Sequence, residues 1–211
     1  GYDCFIHLSR VTAGLDSAIV AETEIQGQVK STYESVATFV PLPEELHYLF
    51  QKALKIGKQV RSSHPLQRGL PGLEHAVLNA GIHFFEKPEQ ARVLFVGASD
   101  INHKVISHFK NKNVLRITLC NRTISKAKEF AGAQELDFIP WSSLADWHTF
   151  DWIVLGTKSL VPLIYKEDLP SHLSNKKLVV DLSVPRNADP ELQDDPRVSL
   201  LNIDRLNQNL S

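Results

Sequence analysis

Val93-Leu94-Phe95-Val96-Gly97-Ala98-Ser99 is the stretch on which the fold prediction rests. Four consecutive apolar residues predict a buried strand, and the glycine after them allows a tight turn into the next segment. Such a turn presents backbone N–H groups and a helix N-terminus to a phosphate, so Gly97, Ala98 and Ser99 are predicted to bind a dinucleotide. A complete GxGxxG fingerprint would need glycine in place of Ser99 and Asn102. A loop that keeps the turn but has lost cofactor binding therefore remains the alternative.

Short apolar runs separated by helix-length polar segments follow this stretch along the chain. This alternation is typical of a parallel sheet with helices on its faces. Six strands are predicted, at residues 92–96, 115–120, 136–139, 152–155, 178–182 and 198–201. The predicted fold class is therefore α/β, a Rossmann-like, doubly wound parallel sheet.

The residues before the sheet have a different periodicity. Up to residue 87, apolar positions recur every three or four residues, which predicts helices. From Glu44 to Arg61 the apolar residues form one stripe, and the basic residues Lys52, Lys55, Lys58 and Arg61 occupy other faces. We therefore expect a helical domain at residues 1–87 and a nucleotide-binding domain at residues 88–211.

Composition limits the classes of function. The 211 residues include 23 basic and 24 acidic ones, so the net charge does not indicate a nucleic-acid partner, and any such contact must come from a local patch. Two cysteines without metal-ligand spacing predict no metal site and favour the reducing cytoplasm. No apolar run approaches the roughly 20 residues that span a bilayer, so no membrane contact is expected.

The residues after the second predicted strand suggest which dinucleotide is bound. NAD-specific domains usually carry an acidic residue there for the ribose 2′-hydroxyl, but this chain has Asn121, Arg122 and Thr123. The guanidinium of Arg122 suits a 2′-phosphate, to which Thr123 and Lys126 add a hydroxyl and a charge. NADPH is therefore the predicted cofactor. The alternative is that Asn121 and Thr123 cap the next helix while Arg122 is solvated.

The segment from His7 to Lys30 resembles the signature of the glutamyl-tRNA reductase family. In that family a histidine–leucine pair precedes arginine–valine, then glycine–leucine–aspartate–serine, a glutamate, and glycine–glutamine–valine–lysine, with the same spacing as here. The resemblance continues through residues 49–53, Asn121–Thr123 and Asp181–Arg186. It therefore covers essentially the whole chain and both predicted domains.

The resemblance implies NADPH-dependent reduction of glutamyl-tRNA to glutamate-1-semialdehyde through an enzyme thioester. This is the first committed step of the C5 route to 5-aminolevulinate and tetrapyrroles. His7 matches the family's active-site histidine, and Ser17, Glu22 and Gln28 match positions associated with the substrate. Glutamyl-tRNA, the downstream glutamate-1-semialdehyde aminotransferase and a second reductase subunit are the implied partners. Without the family match, His7 would be read as a core histidine, Ser17 as a helix cap and Glu22 as a solvated carboxylate.

The chain departs from the family pattern in its cysteines. The family's nucleophilic cysteine lies well before the histidine, whereas Cys4 precedes His7 by three positions and Cys120 falls in the second predicted strand. The resemblance therefore implies a fragment that lacks both the nucleophile and the C-terminal dimerisation domain. Such a fragment would be inactive alone and monomeric.

Two other functions fit part of the pattern. An NADP oxidoreductase of the shikimate dehydrogenase type would have the same sheet, but it uses a lysine–aspartate pair in an N-terminal α/β domain, where this chain is predicted to be helical. A non-catalytic scaffold that holds tRNA or a protein partner would explain the divergent loop. Cofactor binding separates this scaffold from a reductase.

Overall fold

The computed structural model describes residues 1–16, 24–63 and 72–208. The chain forms two compact units, residues 1–72 and residues 73–211. The helix that begins at Leu73 thus belongs to the second unit. The boundary expected between residues 87 and 88 divides the chain by function and not by compactness, and it stays a prediction.

The first unit contains three described helices: α1 at Tyr2–Ala13, α2 at Glu24–Phe39 and α3 at Glu44–Ser63. Helix α1 ends at Gly14, whose φ of 75° is left-handed and favours glycine. Helix α1 packs closely on α3, and the hydroxyl of Thr12 donates to the carbonyl oxygen of Ala53 at 2.9 Å. A Cβ atom on Gly57 would come within 2.6 Å of the Thr12 carbonyl oxygen, so this crossing requires glycine.

The amphipathic pattern predicted for α3 is present. Ala53 and Gly57 are buried, and other residues of the apolar stripe are half-buried, whereas Leu46 remains 40% exposed. The basic residues Lys52, Lys55 and Lys58 are exposed.

The second unit begins with helix α4 at Leu73–Phe84 and is built on a six-stranded sheet. The strands are β1 at Val93–Val96, β2 at Ile117–Cys120, β3 at Asp137–Ile139, β4 at Trp152–Leu155, β5 at Lys177–Asp181 and β6 at Val198–Asn202. Its other α-helices are α5 at Asp100–Asn111, α6 at Ile124–Gln134 and α7 at Ile203–Gln208.

All neighbouring strands are parallel, and their order across the sheet is β3-β2-β1-β4-β5-β6. This is the order of the doubly wound dinucleotide-binding fold, which confirms the predicted fold class. Each predicted strand is present, and its ends differ from the prediction by no more than two residues.

The central strands form the core of this unit. Every residue of β1, β4 and β5 is buried, as expected for parallel strands covered on both faces. Phe95, Phe109 and Trp152 pack their rings together, with centroids 4.5 Å apart between Phe109 and Trp152. At the amino edge of the sheet, the buried ammonium of Lys177 lies 3.6 Å from the carboxylate of Asp151.

Candidate nucleotide-binding site

A cavity of about 700 Å³ lies at the carboxyl edge of the sheet. Strands β2 and β4 flank β1 on opposite sides, so the order of the strands reverses at β1 and β4. Ligands of open α/β sheets bind outside the carboxyl ends of the strands at this point of reversal. Trp141 and three segments line the cavity. The segments are called the first loop, residues 97–100, the second loop, residues 121–126, and the third loop, residues 156–163; the first two run into the starts of α5 and α6.

Gly97 makes the turn between β1 and the first loop. Its φ of 102° is left-handed, and a Cβ atom there would lie 2.4 Å from the carbonyl oxygen of Gly156. The N–H of Gly97 donates to the carbonyl of Cys120 at 2.8 Å, and the N–H of Gly156 donates to the carbonyl of Val96 at 3.0 Å. The first loop is thus held between the ends of β2 and β4.

Asn102 occupies the position of the third glycine in a GxGxxG fingerprint. Its side chain is fully buried, and its Nδ2 donates to the carbonyls of Val96 at 3.0 Å and Gly97 at 2.7 Å. Its Oδ1 is buried and finds no hydrogen-bond partner among the described residues. The amide thus fills the space beneath the first loop, where the fingerprint glycine would let helix and strand approach each other.

The first loop leads directly into helix α5. Ser99 is the N-cap residue, and its hydroxyl accepts the N–H of Asn102 at 3.4 Å, while the neighbouring Asp100 is exposed. The other N–H groups of a first helical turn have no intrahelical partner and are suited to an anion. Ser99 therefore supports the loop as well as lining the cavity.

The second loop carries the predicted 2′-phosphate residues. Asn121 braces it, because its Oδ1 accepts the N–H of Ala98 at 3.2 Å and its Nδ2 donates to the carbonyl of Thr123 at 3.0 Å. Thr123 is at the N-cap position of α6, yet within the described chain its hydroxyl makes no capping hydrogen bond. Arg122 and Lys126 line the cavity and are exposed. The cavity therefore gathers the whole predicted cofactor set.

The third loop was missed by the sequence reasoning. Gly156, Thr157, Lys158 and Ser159 line the cavity together with the exposed apolar residue Leu160. A signal was present, because the apolar strand β4 ends at Gly156 just as β1 ends at Gly97.

The first unit holds the predicted substrate residues. His7 is exposed on α1, and its Nδ1 lies 3.8 Å from Oδ2 of Asp16. Asp16 also accepts two hydrogen bonds from Arg10, at 2.7 and 3.0 Å, which raise the pKa of the Arg10 guanidinium above its usual value. Gln28 is exposed on α2. The predictions for Ser17 and Glu22 fall outside the described residues.

The two cysteines lie in different environments. Cys4 is exposed on α1, the helix that carries His7, whereas Cys120 is buried at the end of β2. Burial raises the pKa of the Cys120 thiol to about 11. Because the thiolate is the nucleophile, we expect Cys120 to react little near neutral pH.

Comparison with known proteins accounts for both units. Residues 1–64 match the family model of the glutamyl-tRNAGlu reductase N-terminal domain. Residues 81–209 match the shikimate / quinate 5-dehydrogenase model, so this part of the chain is a domain of that family. A protein of Carboxydothermus hydrogenoformans named glutamyl-tRNA reductase is 30% identical over 97% of this chain. The chain belongs to the glutamyl-tRNA reductase family. The resemblance inferred from the His7 segment is confirmed.

Other members of this family match over the same range. The glutamyl-tRNA reductase of Thiobacillus denitrificans is 31% identical over 96% of this chain and 50% of its own length. The solved structure of the glutamyl-tRNA reductase from Methanopyrus kandleri superposes with a TM-score of 0.61 at 26% identity, covering 100% of this chain and 55% of that one. The chain thus spans about half the length of the curated relatives that it matches. No helix in the described part of the chain is long and apolar enough to cross a membrane.

Proposed function

We propose that the cavity at the carboxyl edge of the sheet binds NADPH and that the protein reduces glutamyl-tRNA to glutamate-1-semialdehyde. The observation that carries the cofactor assignment is the set of polar side chains that the second loop presents to the cavity. Arg122 and Lys126 are exposed at the cavity, and the hydroxyl of Thr123 is not used to cap its helix. The family membership of the chain supports the reaction and its substrate.

The residues around the cavity fit a dinucleotide that carries a 2′-phosphate. Arg122, Lys126 and Lys158 supply three positive charges, against one acidic residue, Asp100, in the cavity lining. A planar guanidinium can form two parallel hydrogen bonds with a phosphate, which an acidic residue at that position would repel. Gly97 keeps the turn of the first loop tight, because a Cβ atom there would meet the carbonyl oxygen of Gly156.

NADPH would supply a hydride to an acyl carbon of the substrate. Before that step, the family's chemistry converts the ester of glutamyl-tRNA into a thioester, whose carbonyl accepts hydride more readily. We assign the attacking thiolate to neither cysteine of this chain, because Cys120 is buried with a raised pKa and Cys4 does not match the family's position.

The first unit would bind the glutamyl group. His7 is assigned as the general base or as the group that polarises the carbonyl, because an imidazole can take up and return a proton during catalysis. The carboxylate of Asp16 lies 3.8 Å from Nδ1 of His7. Glu22 would pair with the substrate ammonium, and Ser17 and Gln28 would donate or accept hydrogen bonds. The exposed lysines of α3 offer positive charge to tRNA phosphates.

Titration of the chain with NADPH and NADH tests the cofactor assignment, with binding followed by calorimetry. The unchanged chain should prefer NADPH, and Arg122→Ala should weaken NADPH binding by about tenfold or more, since a charge-assisted hydrogen bond contributes about 1.5–3 kcal/mol. NADH binding should change little, because NADH has no 2′-phosphate.

Lys128→Ala is the matched control. Lys128 is exposed on α6 and is not part of the cavity lining, so this change removes the same charge from the same region and should leave NADPH affinity unaltered. If the unchanged chain binds neither dinucleotide, the nucleotide site is wrong and the scaffold alternative gains support.

A further inference from the structure

The third loop has no regular secondary structure, yet it forms one wall of the cavity. Leu160 is 82% exposed and Val161 59% exposed, so this wall presents apolar surface that a planar ring could cover. A loop of this kind keeps one shape only when its backbone groups find fixed partners. Several partners of the third loop come from the segment after β5.

The fully buried side chain of Asn187 is enclosed by the third loop, although Asn187 itself follows β5 in the chain. Its Nδ2 donates to the carbonyls of Ser159 at 3.0 Å and Val161 at 3.3 Å, and its Oδ1 accepts the hydroxyl of Thr157. Its own carbonyl accepts the N–H of Leu163 at 2.7 Å. One buried amide residue thus satisfies groups along the length of the loop.

Asp181 in turn holds the backbone of Asn187. This carboxylate is at the end of β5 and is 1% exposed. It accepts the N–H groups of Ser183 at 3.0 Å, Asn187 at 2.7 Å and Ala188 at 2.9 Å. The hydroxyl of Ser183 accepts the N–H of Thr157 at 3.1 Å, which adds a second link to the third loop.

We infer that Asn187, held by Asp181, is a positioning residue that shapes the cavity wall for the nicotinamide half of the dinucleotide. This inference rests on the proposed function. A doubly wound sheet consists of two mononucleotide-binding halves, and Arg122 assigns the adenosine half to the side of β2. The other half of the ligand then belongs on the side of β4, where the third loop lies. Neither Asn187 nor Asp181 lines the cavity, so both act through that loop.

Two probes separate positioning from general stability. NADPH contains the nicotinamide ring, whereas adenosine 2′,5′-bisphosphate contains only the half assigned to Arg122. Asn187→Ala and Asn187→Ser both remove the two N–H donors to the third loop, and the serine variant keeps a small polar side chain. We expect NADPH affinity to fall about tenfold while affinity for the bisphosphate changes by less than about twofold. The emission of bound NADPH should also shift toward that of the free molecule, because the ring loses its ordered surroundings.

Asp151→Asn is the control for stability. Asp151 accepts the N–H of Arg92 at 2.9 Å and pairs with Lys177 at the opposite edge of the sheet. This variant should lower the melting temperature without changing the ratio of the two affinities. Equal weakening of both probes by the Asn187 variants, or no change in either, would overturn the inference. If neither probe binds the unchanged chain, the proposed function itself fails.

Discussion

Asn102 and Asn121 use side-chain amides to build the loops around the cavity. Asn102 donates to two carbonyls at the end of β1, and Asn121 links the first loop to the second. The sequence places both residues correctly but does not show these roles, because an asparagine at a loop can equally cap a helix or face solvent. Which groups these two side-chain amides bind depends on the backbone groups that the fold places beside them, and only the tertiary structure decides that.

The two thiols should differ in reactivity. Brief treatment with iodoacetamide near neutral pH is expected to label Cys4 and to leave Cys120 unmodified, because burial raises the pKa of Cys120 to about 11. Peptide mass spectrometry measures both sites, and denatured chain is the control in which both react. Equal labelling in the folded chain would show that Cys120 is accessible.

The raised pKa of the Cys120 thiol also affects the stability of the protein. The thiol of Cys120 has a higher pKa when folded than its ordinary value of 9.0. Its contribution to the free energy of unfolding is therefore fully present below about pH 9 and is lost as the pH rises toward 11. Cys120→Ser, compared with Cys4→Ser, would isolate this contribution in alkaline denaturation.

At the scale of elements, α1 and α3 of the first unit cross at a close approach. Periodicity predicted α3 and its apolar stripe, but it did not show that Gly57 is the point at which α1 approaches. The carbonyl and hydroxyl oxygens of Thr12 lie where a Cβ atom on Gly57 would be. The requirement for glycine comes from the neighbouring helix and not from the local conformation.

Two glycine substitutions test this crossing. Gly57→Ala should destabilise the packing of α1 on α3 by about 1–3 kcal/mol, because the added methyl group clashes with backbone atoms. Gly27→Ala on α2 meets no atom within 4 Å and should stabilise its helix by about 0.5–1 kcal/mol. Urea denaturation together with hydrogen exchange of the α1 amides measures both effects. Equal effects of the two substitutions would contradict the close crossing.

At the scale of the whole molecule, the family match extends over both units, whereas the proposed roles divide between them. The cavity and its three loops lie entirely in the second unit. His7 and the other predicted substrate residues lie in the first. This division agrees with the two family models, which match residues 1–64 and 81–209.

NADPH should therefore protect one unit more than the other. At a concentration of about 100 times Kd, a ligand that binds only the native state stabilises it by about 2.7 kcal/mol. We expect slower amide hydrogen exchange at β1, β2 and β4 and little change within α1 and α3. Adenosine without phosphate is the control and should protect neither unit. Protection that is equal in the two units would contradict a site confined to the second.

The sequence by itself determined the α/β class, the six strands, the family and the placement of Arg122 at the end of β2. The class, the strands and the placement of Arg122 follow from local periodicity and short motifs, whereas the family follows from a resemblance spread along the chain. The contacts that shape the third loop, through Asn187 and Asp181, were decided by tertiary structure alone. Asn187 contacts Ser159, which is 28 residues earlier, and Asp181 holds it there. No local pattern encodes such a contact, because two parallel strands become neighbours only when the sheet forms.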